Sequence, residues 1–269
     1  MEQSLSGKRI GRYQLIGQHG SGAMADVYKA FDSEINRAVA VKVLKKENCI
    51  DQDYYQRFIK EARAAGVLSH PNIVTIHDVG DWEGMPYIVM ELVEGESLQQ
   101  KLERAEQFPL TRVLEIMIQL AEALSVIHHT QVIHKDLHPG NMVVNPTKDG
   151  KNSGRVQIID FGLASLLSRE QPALATPDKL EGILAYISPE QTGRMNRALD
   201  YRSDFYTLGV SFYQLLSGEQ PFKAKDALGM VYAHMASTQT PLCDMRPEVP
   251  KALSQIVDKL MHKNAESRY

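Results

Sequence analysis

The chain has 269 residues, 43% of them hydrophobic and 23% charged, enough for one large or two modest domains with a proper core. A net charge of -3 and a pI near 6.3 give no electrostatic basis for nucleic acid or an anionic membrane as the main partner. Cys49 and Cys243 are far apart and lack metal-ligand spacing, and no apolar run reaches bilayer length; reduced thiols, a cytoplasmic location and no membrane insertion are expected.

In chain order, YQLIGQHG, DVYKAFD and RAVAVKVL are short β-rich runs separated by the turn-like GSG and SEIN, the pattern of an antiparallel meander. A helix is expected from about Asp51 to Leu68, followed by strands at IVTIHDVG and PYIVMELV. From Ser97 the periodicity becomes helical, and Leu114, Met117, Ala121 and Leu124 mark one face of a long helix from about Leu110 to His129. The change falls at LVEGES, residues 92–97, so a β-rich half adjoins a mainly helical half with a cleft between them.

Several polar residues stand where a purely structural role is costly. Gly20 and Gly22 in GSGAMADV form a turn between strands, either a plain hairpin or a place where bare backbone approaches an oligophosphate. Lys42 sits inside an apolar strand, where an ammonium either snorkels out or needs an anion. At about 100° per residue, Glu61 falls within the arc of Tyr54, Phe58, Ala65 and Leu68, which makes it a natural partner for Lys42. Asp160 ends the buried strand of IIDFG, and HKDLHPGN carries Asp136 and Asn141 in a loop between two apolar runs. These three polar residues either cap turns or supply one base and two hard-oxygen ligands for a cation such as Mg²⁺.

Gly20-Ser21-Gly22, Lys42, Glu61, HKDLHPGN, DFG and SPE (Ser188, Pro189, Glu190), in that order and spacing, resemble the protein kinase signature set, and most closely that of bacterial Ser/Thr kinases. The stretch LEGILAYISPEQTGRMNRALDYRSDFYTLGV also looks like the kinase module at the head of large bacterial signalling proteins that carry an ATPase region and a histidine kinase. The resemblance implies an α+β, bilobal fold over 1–269. An N-lobe, about 10–93, would hold a five-stranded antiparallel sheet and one helix; a mainly helical C-lobe, 94–269, would be truncated just after ESRY, with downstream domains as partners. It further implies that Gly20 and Gly22 cover the ATP phosphates, that Lys42 held by Glu61 contacts them, and that Asn141 and Asp160 hold Mg²⁺. Asp136 would accept the proton of a substrate hydroxyl, Met90 would be the gatekeeper, and the backbone of Glu91 and Val93 would bond adenine between Val27, Ala40 and Val143. Asp204 corresponds to the aspartate that braces the catalytic loop, and Arg268 to the arginine that pairs with Glu190.

Four positions depart from the family pattern. Ala25 replaces the third glycine of the phosphate loop, and Lys135 replaces an arginine whose planar fork would grip a phosphorylated activation loop. His138 stands in place of a lysine near the γ-phosphate and is taken as catalytic, while Ile183 replaces the threonine that would bond that lysine. The expected activity is ATP- and Mg²⁺-dependent phosphorylation of Ser or Thr on protein substrates. One alternative is a pseudokinase that binds ATP and regulates its neighbours. Another, suggested by HPGN, is a small-molecule phosphotransferase of the aminoglycoside or choline type, against which stand SPE and Asp204. Ser165, Ser168 and Thr176 are candidate self-phosphorylation positions, NPTKDGKNSG (145–154) reads as a solvated turn, and His128 and His129 read as an unremarkable helix end.

Overall fold

The computed structural model describes residues 4–22, 24–146, 154–161, 165–166, 184–195 and 198–269, with backbone alone for 52–54, 57, 60–61 and 165–166. Ile183, Ser168, Thr176, Gly162 and most of the 145–154 turn lie outside the described residues, as does the side chain of Ser165.

The first half is a sheet of β1 (Arg9–Ile10), β2 (Tyr13–Ser21), β3 (Ala25–Asp32), β4 (Arg37–Leu44), β5 (Ile76–Trp82) and β6 (Met85–Glu91), in the order β1-β2-β3-β4-β6-β5 and antiparallel throughout. Period-2 alternation sorts its side chains onto two faces. Val39, Val41 and Val43 of β4 join Tyr87 and Val89 of β6 in a small core with Ile10, Tyr13 and Leu15. Their alternates Ala40, Leu44, Ile88 and Met90 face the other way, into the main core shared with the helical half. The expected five strands are all present, joined by the two-residue β1, which folds back through Gly11 onto Tyr13 and Gln14. Two residues are too few to show an alternation, although Ile10 is fully buried.

Helix α1 (Gln52–Gly66) packs Phe58, Ala62 and Ala65 inward, with Leu68 just beyond its end. The chain leaves β6 through Gly95, whose φ of +131° belongs to glycine and where a Cβ would collide with the Val144 carbonyl. The short β7 (Glu96–Ser97) then pairs with β9 (Met142–Val144). Ser97 opens α2 (Leu98–Glu103) with a capping box: Gln100 N–H donates to Ser97 Oγ at 3.1 Å and Ser97 N–H to Gln100 Oε1 at 2.9 Å.

The long helix α3 spans Leu110–His129, the bounds its periodicity predicts, but the buried stripe is Val113, Ile116, Met117, Leu120, Ala123, Leu124 and Ile127. Ala121, expected on that stripe, is exposed, and Leu114 is only partly buried. After β8 (Val132–Ile133) and β10 (Val156–Ile158) comes α4 (Arg202–Ser217), nearly all of whose residues are buried and around which the C-terminal helices pack. These are α5 (Ala227–Ala236), α6 (Leu242–Met245) and α7 (Lys251–Leu260). Gly209 lets α7 approach closely, since a Cβ there would stand 2.8 Å from Leu260 Cβ. Among the described residues, no helix is long and apolar enough to cross a membrane.

Candidate active site

The register of β3, β4 and β6 places Val27 opposite Lys42, Lys42 opposite Ile88, and Ala40 opposite Met90. Because side chains alternate, Val27, Ala40, Lys42 and Met90 share the face turned toward the helical half. Val143 of β9, 7% exposed, lies in the second lobe between Ser97 of β7 and Gln157 of β10. The Glu91 amide donates to the Thr75 carbonyl at 2.9 Å and is thereby engaged within the protein. Its carboxylate receives Arg155 and Gln157, each at 3.0 Å, while Val93 packs against the main core just beyond it.

Gly20 pairs with Val27, and the Gly22 amide donates to the Ala25 carbonyl at 2.9 Å, closing the turn over this face. Neither glycine has a left-handed φ, so what they contribute is bare backbone rather than unusual geometry. Ala25 is a buried strand residue paired with Leu44, which gives its methyl group a packing role.

Lys42 Nζ lies 3.1 Å from Asp160 Oδ1, a mostly buried ammonium against a partly exposed carboxylate. That anion offsets the desolvation an apolar strand imposes on a lysine. Glu61, the partner anticipated from helical spacing, belongs to α1, and its side chain lies outside the described residues. Asp160 follows β10, where the Ile159 amide donates to the Asn141 carbonyl at 3.0 Å and Phe161 is buried against the ring of His134.

The 134–141 loop is held from below by Asp204, which is fully buried at the start of α4. Its carboxylate accepts the amides of His134 at 2.9 Å and Lys135 at 2.6 Å. Lys135 has φ +69°, a left-handed conformation that costs a non-glycine residue roughly 1–2 kcal/mol. Charge-assisted bonds of this kind outweigh such strain. His128 Nε2 lies 2.8 Å from Asp204 Oδ2, so the histidine taken as an unremarkable helix end braces the loop's anchor. The Lys135 carbonyl accepts Gln191 Nε2 at 2.9 Å, and the same amide side chain caps Ser188. Sequence reasoning missed Gln191; its only signal is its place directly after SPE. Gln191→Ala should lower kcat on the order of 10-fold while leaving ATP binding intact, because it frees the backbone beside Asp136. Unchanged kcat in steady-state kinetics contradicts that.

Asp136 accepts Asn141 Nδ2 on its Oδ2 at 3.0 Å and on its backbone carbonyl at 3.1 Å, which turns the Asn141 amide oxygen the other way. The Asp136 amide donates to His134 Nδ1 at 3.2 Å. Burial pushes the fully enclosed His134 below its ordinary range, consistent with a neutral ring acting as an acceptor. His138 Nε2 stands 3.6 Å from Asp136 Oδ1. Beside it opens a groove of about 560 Å³ lined by His138, Leu184, Tyr186, Asp226 and Met230 among others. Glu190 and Arg268 form a fork at 2.6 and 3.0 Å with 3% and 0% of their side chains exposed, and Ser203 Oγ adds a bond to Glu190 at 2.9 Å.

A sequence model of the protein kinase domain matches residues 13–269. The chain belongs to the protein kinase family. This kinase domain is 36% identical over 259 residues to the probable serine/threonine-protein kinase PknB of Lactococcus lactis, covering 96% of the chain and 40% of that protein. It is 34% identical over 266 residues to the serine/threonine-protein kinase PrkC of Bacillus subtilis, covering 98% and 40%. With serine/threonine-protein kinase PknA of Mycobacterium tuberculosis it shares 35% over 264 residues, covering 96% and 58%. The chain thus spans about 40% of the length of the first two relatives. The crystal structure of a double mutant of the M. tuberculosis PknI kinase domain superposes with a TM-score of 0.73 at 24% identity, covering all of this chain and 94% of that one, a likeness of fold.

Proposed function

We propose that this kinase domain binds ATP with Mg²⁺ in the cleft and transfers the γ-phosphoryl group to Ser or Thr hydroxyls of protein substrates in bacterial signalling. The observation that carries this reading is the convergence of Lys42 onto Asp160, at 3.1 Å, beside an Asp136 oriented by Asn141 at 3.0 Å.

In this reading adenine lies between Val27, Ala40 and Val143, next to Met90, with its edge on the Glu91 carbonyl and the backbone of Val93. Gly20 and Gly22 bring backbone over the phosphates, and Lys42 neutralises their charge with Glu61 behind it. Asp136 takes the proton of the acceptor hydroxyl as the new O–P bond forms and the bond from the γ-phosphorus to the bridging oxygen breaks, releasing ADP. Asp160 and the outward amide oxygen of Asn141 fit Mg²⁺, a hard cation usually bound through one or two protein oxygens plus phosphate and water. When bound, Mg²⁺ supplies Lewis-acid neutralisation of phosphate charge. The chain is further read as one domain that works beside others in a longer signalling polypeptide.

Incubating the chain with γ-labelled ATP, Mg²⁺ and casein should label phosphoserine or phosphothreonine. Stabilisation by ATP in a thermal melt with no labelled protein would support the regulatory pseudokinase instead. Label on an aminoglycoside or choline in place of protein would support the small-molecule enzyme, a reading the buried Glu190–Arg268 lock of the SPE segment argues against.

A further inference from the structure

Gly140 has no backbone reason to be glycine, since its φ lies outside the left-handed region. A Cβ there would stand 2.7 Å from Cε1 and 2.9 Å from Nδ1 of His138, well inside the contact distance of non-bonded atoms. The missing side chain is the space the imidazole occupies. The Gly140 amide donates to His138 Nδ1 at 3.1 Å, which makes that nitrogen an acceptor and leaves the ring hydrogen on Nε2. Tyr186 stacks on the ring, with centroids 5.6 Å apart and planes 29° apart, and is itself tied to Gln214 through its hydroxyl at 2.6 Å. Ring position and tautomer are therefore both set. At 3.6 Å from Asp136 Oδ1, the Nε2–H group stands beside the base without bonding to it.

We propose that Gly140 is a positioning residue that, through its bare Cα and its amide, aims the Nε2–H of His138 at the phosphoryl group during transfer. His138 then acts as a fixed hydrogen-bond donor rather than a mobile cation, preorganised at no cost when charge develops. The inference rests on the kinase reading above. It also explains why the loop carries His138 and Gly140 together: a larger residue at 140 would evict the ring.

The test is a double-variant cycle on labelled phosphate transfer to casein, using wild type, Gly140→Ala, His138→Ala and both together. Each single change should lower kcat roughly 10- to 100-fold with KM for ATP little altered, and the double variant should be no slower than His138→Ala alone. Losses that multiply overturn the proposal. ¹⁵N NMR of the wild-type imidazoles, with the His138 signals identified by their loss in His138→Ala, needs no turnover. A bare Nδ1 and a protonated Nε2 are expected, and a hydrogen on Nδ1 overturns the assignment. Wild-type chain that transfers no phosphate overturns the kinase reading, and the donor role with it, whatever the tautomer.

Discussion

Arg268→Ala should lower the folding stability of this chain by about 3–5 kcal/mol, a large share of the ~5–15 kcal/mol that holds a typical domain together. The guanidinium is fully buried and spends its donors on both oxygens of Glu190 and on the carbonyls of Arg202, His262 and Lys263. Truncation leaves Glu190, 4% exposed, with Ser203 as its remaining described side-chain donor, and an unpaired buried carboxylate is far costlier than a lost surface pair. Arg268→Lys should recover only part of the loss, because an ammonium cannot make the planar two-bond fork. Urea denaturation of both variants measures this. A change below about 0.5 kcal/mol in Arg268→Ala, the range of ordinary surface substitutions, would remove the lock from the account.

Much of this architecture was legible because the relevant signals are local. The short apolar, β-rich runs RAVAVKVL and PYIVMELV mark strands, and the bounds of α3 follow from where apolar spacing starts and stops. The phase of α3 was not legible: the helix has apolar residues nearly all round, including the exposed Ile118, so several stripes fit the same period. β1 was missed for the opposite reason, being too short to carry any period. Lys42 and Asp160 could be picked out because each sits on, or just past, an apolar strand where its polarity is out of place, and Asp136 and Asn141 because they belong to a polar loop between two apolar runs. What joins them was harder to see. Lys42 reaches Asp160 across 118 residues, His128 reaches Asp204 across 76 and Gln191 reaches Lys135 across 56, distances at which no local pattern names a partner. The clamp on the left-handed Lys135 is therefore a finding of the three-dimensional structure.

The central claim is that Asp136 is the base of a phosphoryl transfer, and Asp136→Asn isolates it. Asparagine has the same shape, keeps an oxygen to accept Asn141 Nδ2, and leaves the Asp136 amide on His134 and the loop on Asp204 undisturbed. What it loses is the carboxylate that takes the proton, a contribution worth about 10²–10⁴-fold in rate. Because the proposed mechanism assigns Asp136 to the acceptor hydroxyl and not to the nucleotide, ATP binding should be unchanged. The decisive measurement is the initial rate of labelled phosphate transfer to protein by wild type and Asp136→Asn, with ATP binding followed in parallel by thermal shift. The account predicts active wild type and a variant at least about 100-fold slower at equal ATP affinity. A variant that transfers at the wild-type rate would contradict it.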